Sequence, residues 1–307
     1  MSNHRTDIEL DTPGRAEELQ LNAPVELLTW ADARRSYAWR ANSTSAWGHH
    51  VLDYPQCDAG TLTGQMMLLL PGQSSLPQAA LTDSVYLGVQ GELEFSSGAE
   101  RHAVGPLDLL GVPRGANYSF ANLGLSNALV YCMGSKKTAD EAGSVTAAAT
   151  PDAACTYMRW EAYRNAFRWD LPFADQWGFC RGAGPHLRLD SLSGHTVRHP
   201  IGQASPWHAS ARDLLFIQLS GNSAFRAAGK VWELAPWDVL VIHARTPYSY
   251  FNAGIEESVF LDMGIRIAQA NTYYAEDPGW PVRADAAVVK TERDAHGQAR
   301  LVEPVKR

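Results

Sequence analysis

The sequence predicts an all-β protein built from two tandem copies of one barrel. Three observations carry that prediction. The chain matches itself at a fixed offset, its apolar residues fall in short runs cut by turn residues, and its 307 residues are enough for two separate cores.

Residues 29–134 lie on residues 159–264 without a gap, an offset of 130 with 24 identities over 106 positions. Both copies open with W-x3-R-x4-W-x7-W-G: Trp30, Arg34, Trp39, Trp47 and Gly48 fall on Trp160, Arg164, Trp169, Trp177 and Gly178. Further pairs are Gly72/Gly202, Asp83/Asp213, Gly91/Gly221, Asp108/Asp238, Tyr118/Tyr248 and Asn122/Asn252. This period is too long for a solenoid and suits a whole domain. The expected units are an N-terminal arm over 1–28, a barrel over 29–135, a linker over 136–158, a second barrel over 159–268 and a C-terminal arm over 269–307. The linker is small, polar and Ala/Thr-rich, and the arms alternate in charge as peripheral strands do.

Within the first copy the runs SVYLGVQGELEF, DLLGVP, YSFAN and ALVYCM read as strands, as do LLFIQLSGNSAF, DVLVIH, YSYFN and SVFLDM in the second. Each is β-branched or aromatic and bounded by Gly, Pro, Asn or Ser, the pattern of a sandwich or barrel. Helix is expected only around 24–40 and, in the second copy, around 155–170.

Composition narrows the partners. Asp plus Glu number 33 against 26 Lys plus Arg, a formal charge of −7 that repels phosphate backbones and anionic lipid heads. Nucleic acid and membrane partners are not expected, and a small-molecule ligand is. The longest apolar run, MMLLL, is too short to cross a bilayer, and the polar N-terminal stretch has no apolar signal core. Cys57, Cys132, Cys155 and Cys180 show no C-x-x-C spacing, so a reduced, cytoplasmic chain is the expectation and none is marked as a nucleophile.

With these residues in place, each copy resembles a cupin, and the whole chain a tandem bicupin of two jelly-roll barrels of the RmlC type. The first cupin motif, G-x5-H-x-H-x(3 or 4)-E-x6-G, has its length in Gly202 to Gly221 with His208 at the first histidine, and in Gly72 to Gly91. The second, P-x-G-x2-H-x3-N, is approached by Pro113 to Asn122 and by the segment ending at Asn252. The resemblance implies three histidines and a glutamate around iron, manganese or zinc, donors suited to those ions. Here the four positions read Gln78, Ala80, Ser84 and Tyr118 in the first copy and His208, Ser210, Leu214 and Tyr248 in the second. The usual site is therefore degenerate, and no cofactor is expected. One alternative metal set remains, His195, His199 and His208, because His195 and His199 are four apart on one strand and share a face.

Strand alternation, carried across from the family, points His208, Ser210, Leu214, Phe216, Gln218, Tyr248 and Tyr250 into the second barrel. In the first it points Gln78, Ala80, Ser84, Tyr86, Tyr118 and Phe120 inward. Of these two sets only the second holds an imidazole. The expected chemistry is metal-independent, with His208 as base and Tyr248 as proton donor, of isomerase, epimerase or lyase type on a small, partly apolar or aromatic molecule. The dTDP-sugar epimerases and ketoisomerases of the superfamily resemble this arrangement. Three other readings stand beside it. His208 is a relic ligand and the tyrosines fill the space a metal left, in a bicupin that binds without turnover. The chain is an iron- or manganese-dependent dioxygenase with a non-standard ligand set. Asp213 orients His208, although its position before inward-facing Leu214 and its match to Asp83 favour a shared structural bond. A homodimer is implied by analogy with other cupins.

Overall fold

The computed structural model describes residues 25–34, 61–136, 154–164, 189–201, 204–205, 207–252 and 254–266, together with the backbone of a few short strands outside them. Most of both expected arms, linker residues 137–153, and Trp47, Gly48, Cys57, Trp177, Gly178 and Gly202 lie outside the described residues.

Among the described residues helix is confined to single turns at Trp30–Ala33 and Trp160–Tyr163. The longer helices expected there give way to strands, Val25–Leu28 and Thr156–Met158, because both segments find open sheet edges. The first barrel pairs a seven-stranded sheet, which includes Leu62–Leu69, Ser84–Gln90, Leu109–Val112 and Ala128–Ser135, with a four-stranded one around Leu93–Ser97 and Asn117–Ala121. In the second, a seven-stranded sheet built on Leu192–His199, Leu214–Ser220, Val239–Ile242 and Ser258–Ile265 faces an eight-stranded sheet containing His208–Ser210, Ser223–Ala227 and Tyr248–Asn252.

The copies exchange strands. Val25–Leu28 pairs antiparallel with Val239–Ile242 of the second barrel, while Thr156–Met158 pairs with Leu109–Val112 of the first. Each exchanged strand also reaches the receiving core, Val25 beside Phe216 and Phe260, Tyr157 beside Val104 and Leu110. Two segments that the repeat leaves outside the barrels are thus part of them. The C-terminal strand Thr272–Ala275 pairs with His208–Ser210 at the sheet that carries the first motif.

Three clusters form the core. One fills each barrel, and a third joins them, with Leu62, Val85, Leu87, Tyr131 and Met133 packed in one cluster with Leu215, Ile217, Val241, Leu261 and Met263. The two large sheets are therefore apolar on both faces, which is why LLFIQLS and VLVI read as unbroken hydrophobic runs. At about 25 cal/mol per Å² of apolar surface removed from water, this shared layer holds the barrels together more strongly than any polar contact between them.

The repeated polar residues tie this frame. Asn122 donates to the carbonyls of Leu69 and Ser126 at 2.9 and 2.8 Å, and Asn252 to those of His199 and Glu256 at 2.8 and 2.7 Å. Asp83 accepts from the backbone N–H of Arg114 and from Ser191 of the other copy, while Asp213 accepts from the N–H of Ala244 and from Thr61 of the other copy. Gly91 and Gly221 turn their hairpins at φ +67° and +64°, where an added Cβ would lie 2.4 Å from the carbonyl oxygens of Asn127 and Glu257.

Candidate functional site

Parity along each strand settles which side chains face the interior of the second barrel. On Leu192–His199, Leu192 belongs to the shared layer and Val197 to the barrel core, so Ser193, His195 and His199 face inward with Val197. On Ser258–Ile265, Phe260 is inside while Val259, Leu261, Met263 and Ile265 are outside, which turns Ser258, Asp262 and Gly264 inward.

His208 lies directly opposite Tyr248 in the sheet register, their ring centroids 4.1 Å apart, and the Tyr250 ring stands at 5.7 Å. Phe216, Phe225 and Phe260 complete an aromatic wall, Phe216 to Tyr248 at 5.5 Å and Tyr250 to Phe260 at 5.0 Å. His208, Tyr248, Phe216 and Tyr250 are thus brought together. Ser210 and Gln218 are buried but occupied: Ser210 Oγ accepts from the Arg212 N–H at 3.2 Å, and Gln218 Nε2 donates to the carbonyl of Ser220 and to Ser258 Oγ at 2.7 and 2.8 Å.

Two groups here escaped the reading of the sequence, Arg212 and Asp262. The Arg212 guanidinium donates to Ser193 Oγ and, at 2.6 Å, to the Ile265 carbonyl, and it lies over Gly264, where a Cβ would come within 2.7 Å of its Nε. Burial pulls its pKa down, and the nearby Asp262 and Tyr248 oppose that shift. Asp262 also stands 3.6 Å from His195 Nε2. The signal was present in the repeat, since Arg212 falls on Thr82, Asp262 on Cys132 and His195 on Gln65. Asp213 does not orient His208; its carboxylate binds the Ala244 N–H at 2.9 Å and stands 3.4 Å from His243 Nδ1.

The donor set does not fit the metal that the cupin fold implies. Leu214 is buried in the apolar core and Ser210 closes a turn, which leaves one imidazole at the motif positions. Among the described residues no three His, Cys, Asp or Glu side chains converge on a metal position, so His195, His199 and His208 form no ligand group. His199 instead packs against Tyr250, and burial pushes its pKa down to about 4.

The first barrel is filled. Tyr86 and Tyr118 share a hydrogen bond of 2.7 Å between their hydroxyls, and Phe95 and Phe120 pack on both. Burial raises the pKa of Tyr86 well above its ordinary range and that of Tyr118 to about 12. Gln78, expected inside, is exposed on a two-residue strand opposite Tyr118. Cys132 and Cys155 are free thiols whose pKa burial raises, Cys132 to about 12, which makes them poor nucleophiles.

No protein-family profile matches the sequence, and no curated protein matches it significantly. Solved structures do match. A variant of the salicylate 1,2-dioxygenase from Pseudoaminobacter salicylatoxidans in complex with gentisate superposes at TM-score 0.58 and 13% identity, over 78% of this chain and 81% of its own. The fold is a bicupin. The chain is also similar to a glyoxylate-induced protein from Pseudomonas aeruginosa (TM-score 0.56, 16% identity, 75% of this chain and 80% of that one). AerE from Microcystis aeruginosa matches at TM-score 0.53 and 11% identity, over 75% of this chain and 98% of its own. At these identities the likeness is one of fold. Among the described residues no helix is long and apolar enough to cross a membrane.

Proposed function

We propose that the second barrel binds a small, partly apolar or aromatic molecule and turns it over by metal-independent acid–base chemistry of isomerase, epimerase or lyase type. The observation that carries this reading is the 4.1 Å ring contact of His208 and Tyr248 inside an aromatic wall. A neutral imidazole accepts a proton near pH 7 and a phenol returns one, so the pair can take a proton from, and return one to, a carbon held against their shared edge. Phe216, Phe225, Tyr250 and Phe260 supply apolar surface for the substrate and keep bulk water from the reacting carbon. A structural neighbour, the salicylate 1,2-dioxygenase in complex with gentisate, supports a small molecule as the ligand.

Elemental analysis of the purified protein, followed by a ligand screen read by thermal shift, tests the reading. Turnover of a stabilising ligand should fall by about two to four orders of magnitude in His208→Ala and Tyr248→Phe. Near-stoichiometric iron, manganese or zinc that is lost in a His195/His199/His208 triple variant would overturn it. A second reading, binding without turnover, is favoured by the burial of His208 against both Tyr248 and Tyr250, and it predicts ligands that stabilise but are never converted. Light scattering reports whether two copies pair.

A further inference from the structure

At the end of the second barrel marked by the Gly221 turn, four polar side chains are fully buried: His199, Gln218, Ser223 and Ser258. All four face inward. His199 stands opposite Ser258 in the sheet register, Gln218 Nε2 donates to Ser258 Oγ at 2.8 Å, and Ser223 Oγ shares a 2.6 Å hydrogen bond with Ser258 Oγ. In the first barrel the same positions are Leu69, Gly88, Leu93 and Ala128, apolar and buried. The frame at this end is otherwise the same in both copies, with Asn122 and Asn252 making matching bonds. The fold therefore does not need polarity here.

Nor is that polarity satisfied internally. Both ring nitrogens of His199 and the Oε1 of Gln218 are buried without a hydrogen-bond partner. The amide orientation is fixed, because Nε2 already meets the carbonyls of Ser220 and Gly221. Each orphaned group carries a desolvation penalty that an apolar residue would avoid. A neutral imidazole offers one donor and one acceptor, and Gln218 Oε1 adds an acceptor. The complement is an uncharged group with two hydrogens to donate and one lone pair to accept them with.

We propose that this polar end of the second barrel holds the uncharged, hydroxylated head of a small molecule, a vicinal diol or its like, whose remainder lies along Tyr250 toward His208. This deepens the function proposed above and rests on it for the placing of the reactive carbon. The distances agree: His199 to Tyr250 is 5.0 Å between ring centroids and Tyr250 to His208 is 5.7 Å. A carboxylate head is disfavoured, because it would bury a charge with no cation among these four side chains.

The probes are 1-phenylethane-1,2-diol and mandelate, which differ in a neutral against a charged head, titrated by calorimetry into the full chain. The diol should bind, mandelate should bind at least about tenfold more weakly, and His199→Leu should lose at least about tenfold in diol affinity. His208→Ala and Tyr248→Phe should keep diol binding, so failure of the acid–base reading shows as lost or absent turnover with this binding intact. Ligand-free His199→Leu, which restores the first barrel's residue and strands no hydrogen-bond partner, should melt no lower than the wild type. No diol binding, which would leave bound water as the occupant, overturns the proposal. So do tighter mandelate binding, undiminished binding in His199→Leu, or melting several degrees lower in ligand-free His199→Leu.

Discussion

Asp238 Oδ1 accepts the backbone N–H of Trp30 at 2.7 Å, and its partner Asp108 does the same for Trp160 at the same distance. Each carboxylate thus fastens the strand that the other copy has lent to its barrel. Its second oxygen accepts the N–H that opens the adjoining turn, Ala235 for Asp238 and Gly105 for Asp108. Asp238→Ala takes the acceptor from two half-buried N–H groups and should destabilise by about 1–3 kcal/mol, with Asp238→Asn intermediate. Urea denaturation measures both, and a change within about 0.5 kcal/mol would show that the exchanged strand is held by packing alone.

His199 should make stability acid-sensitive. Its pKa of about 4 lies below the ordinary 6.5, so between those values the unfolded chain binds a proton that the folded chain does not. Its effect on stability is constant above about pH 6.5, falls as pH drops through that window, and levels off below about pH 4, for a total of at most about 3 kcal/mol. Denaturation at pH 7 and pH 4.5 should show a smaller loss in His199→Leu than in the wild type.

The hydroxyls of Tyr86 and Tyr118 act as one unit. Tyr86→Phe should cost about 1 kcal/mol by stranding the Tyr118 hydroxyl, and the double Phe variant should cost no more than the single one. A double-mutant cycle on melting free energies reads the coupling. Strict additivity would mean that the two hydroxyls do not depend on one another.

Gly221→Ala should be among the most damaging small substitutions. It places a Cβ 2.4 Å from the Glu257 carbonyl oxygen at φ +64°, so backbone must shift as well as strain. A loss of more than about 2 kcal/mol is expected, against a smaller loss of about 1–2 kcal/mol for Gly229→Ala, whose added Cβ would meet nothing within 4 Å and whose cost is the positive φ alone. Circular dichroism melts distinguish the two.

Much of the site was legible because a duplicated chain carries its own control. Pairs that stay the same, Asp83 with Asp213 and Asn122 with Asn252, proved to be backbone ties, as identity across two different interiors suggests. Positions that differ mark the polar interior of the second barrel, and His208 was found at the first histidine position of the cupin motif. Arg212 was not, because it sits in a turn beyond the strand parity from which inward positions were counted, and only its fit over Gly264 brings it inside. Gln78 was misplaced because motif position alone does not decide burial: it stands opposite Tyr118 as His208 stands opposite Tyr248, yet it lies exposed.

The sequence by itself determined the all-β class, the duplication and the turn glycines, because these follow from local periodicity and from residues that must match wherever the fold recurs. Which barrel completes which was decided only by the tertiary structure. VELL before Trp30 and TYM before Trp160 have no local preference for a partner, and their pairing follows from which sheet edge stands open once the two apolar faces have closed on one another. The same closure decides that the ring nitrogens of His199 and the Oε1 of Gln218 are buried without hydrogen-bond partners, a property of the assembled barrel that no spacing along the chain can express.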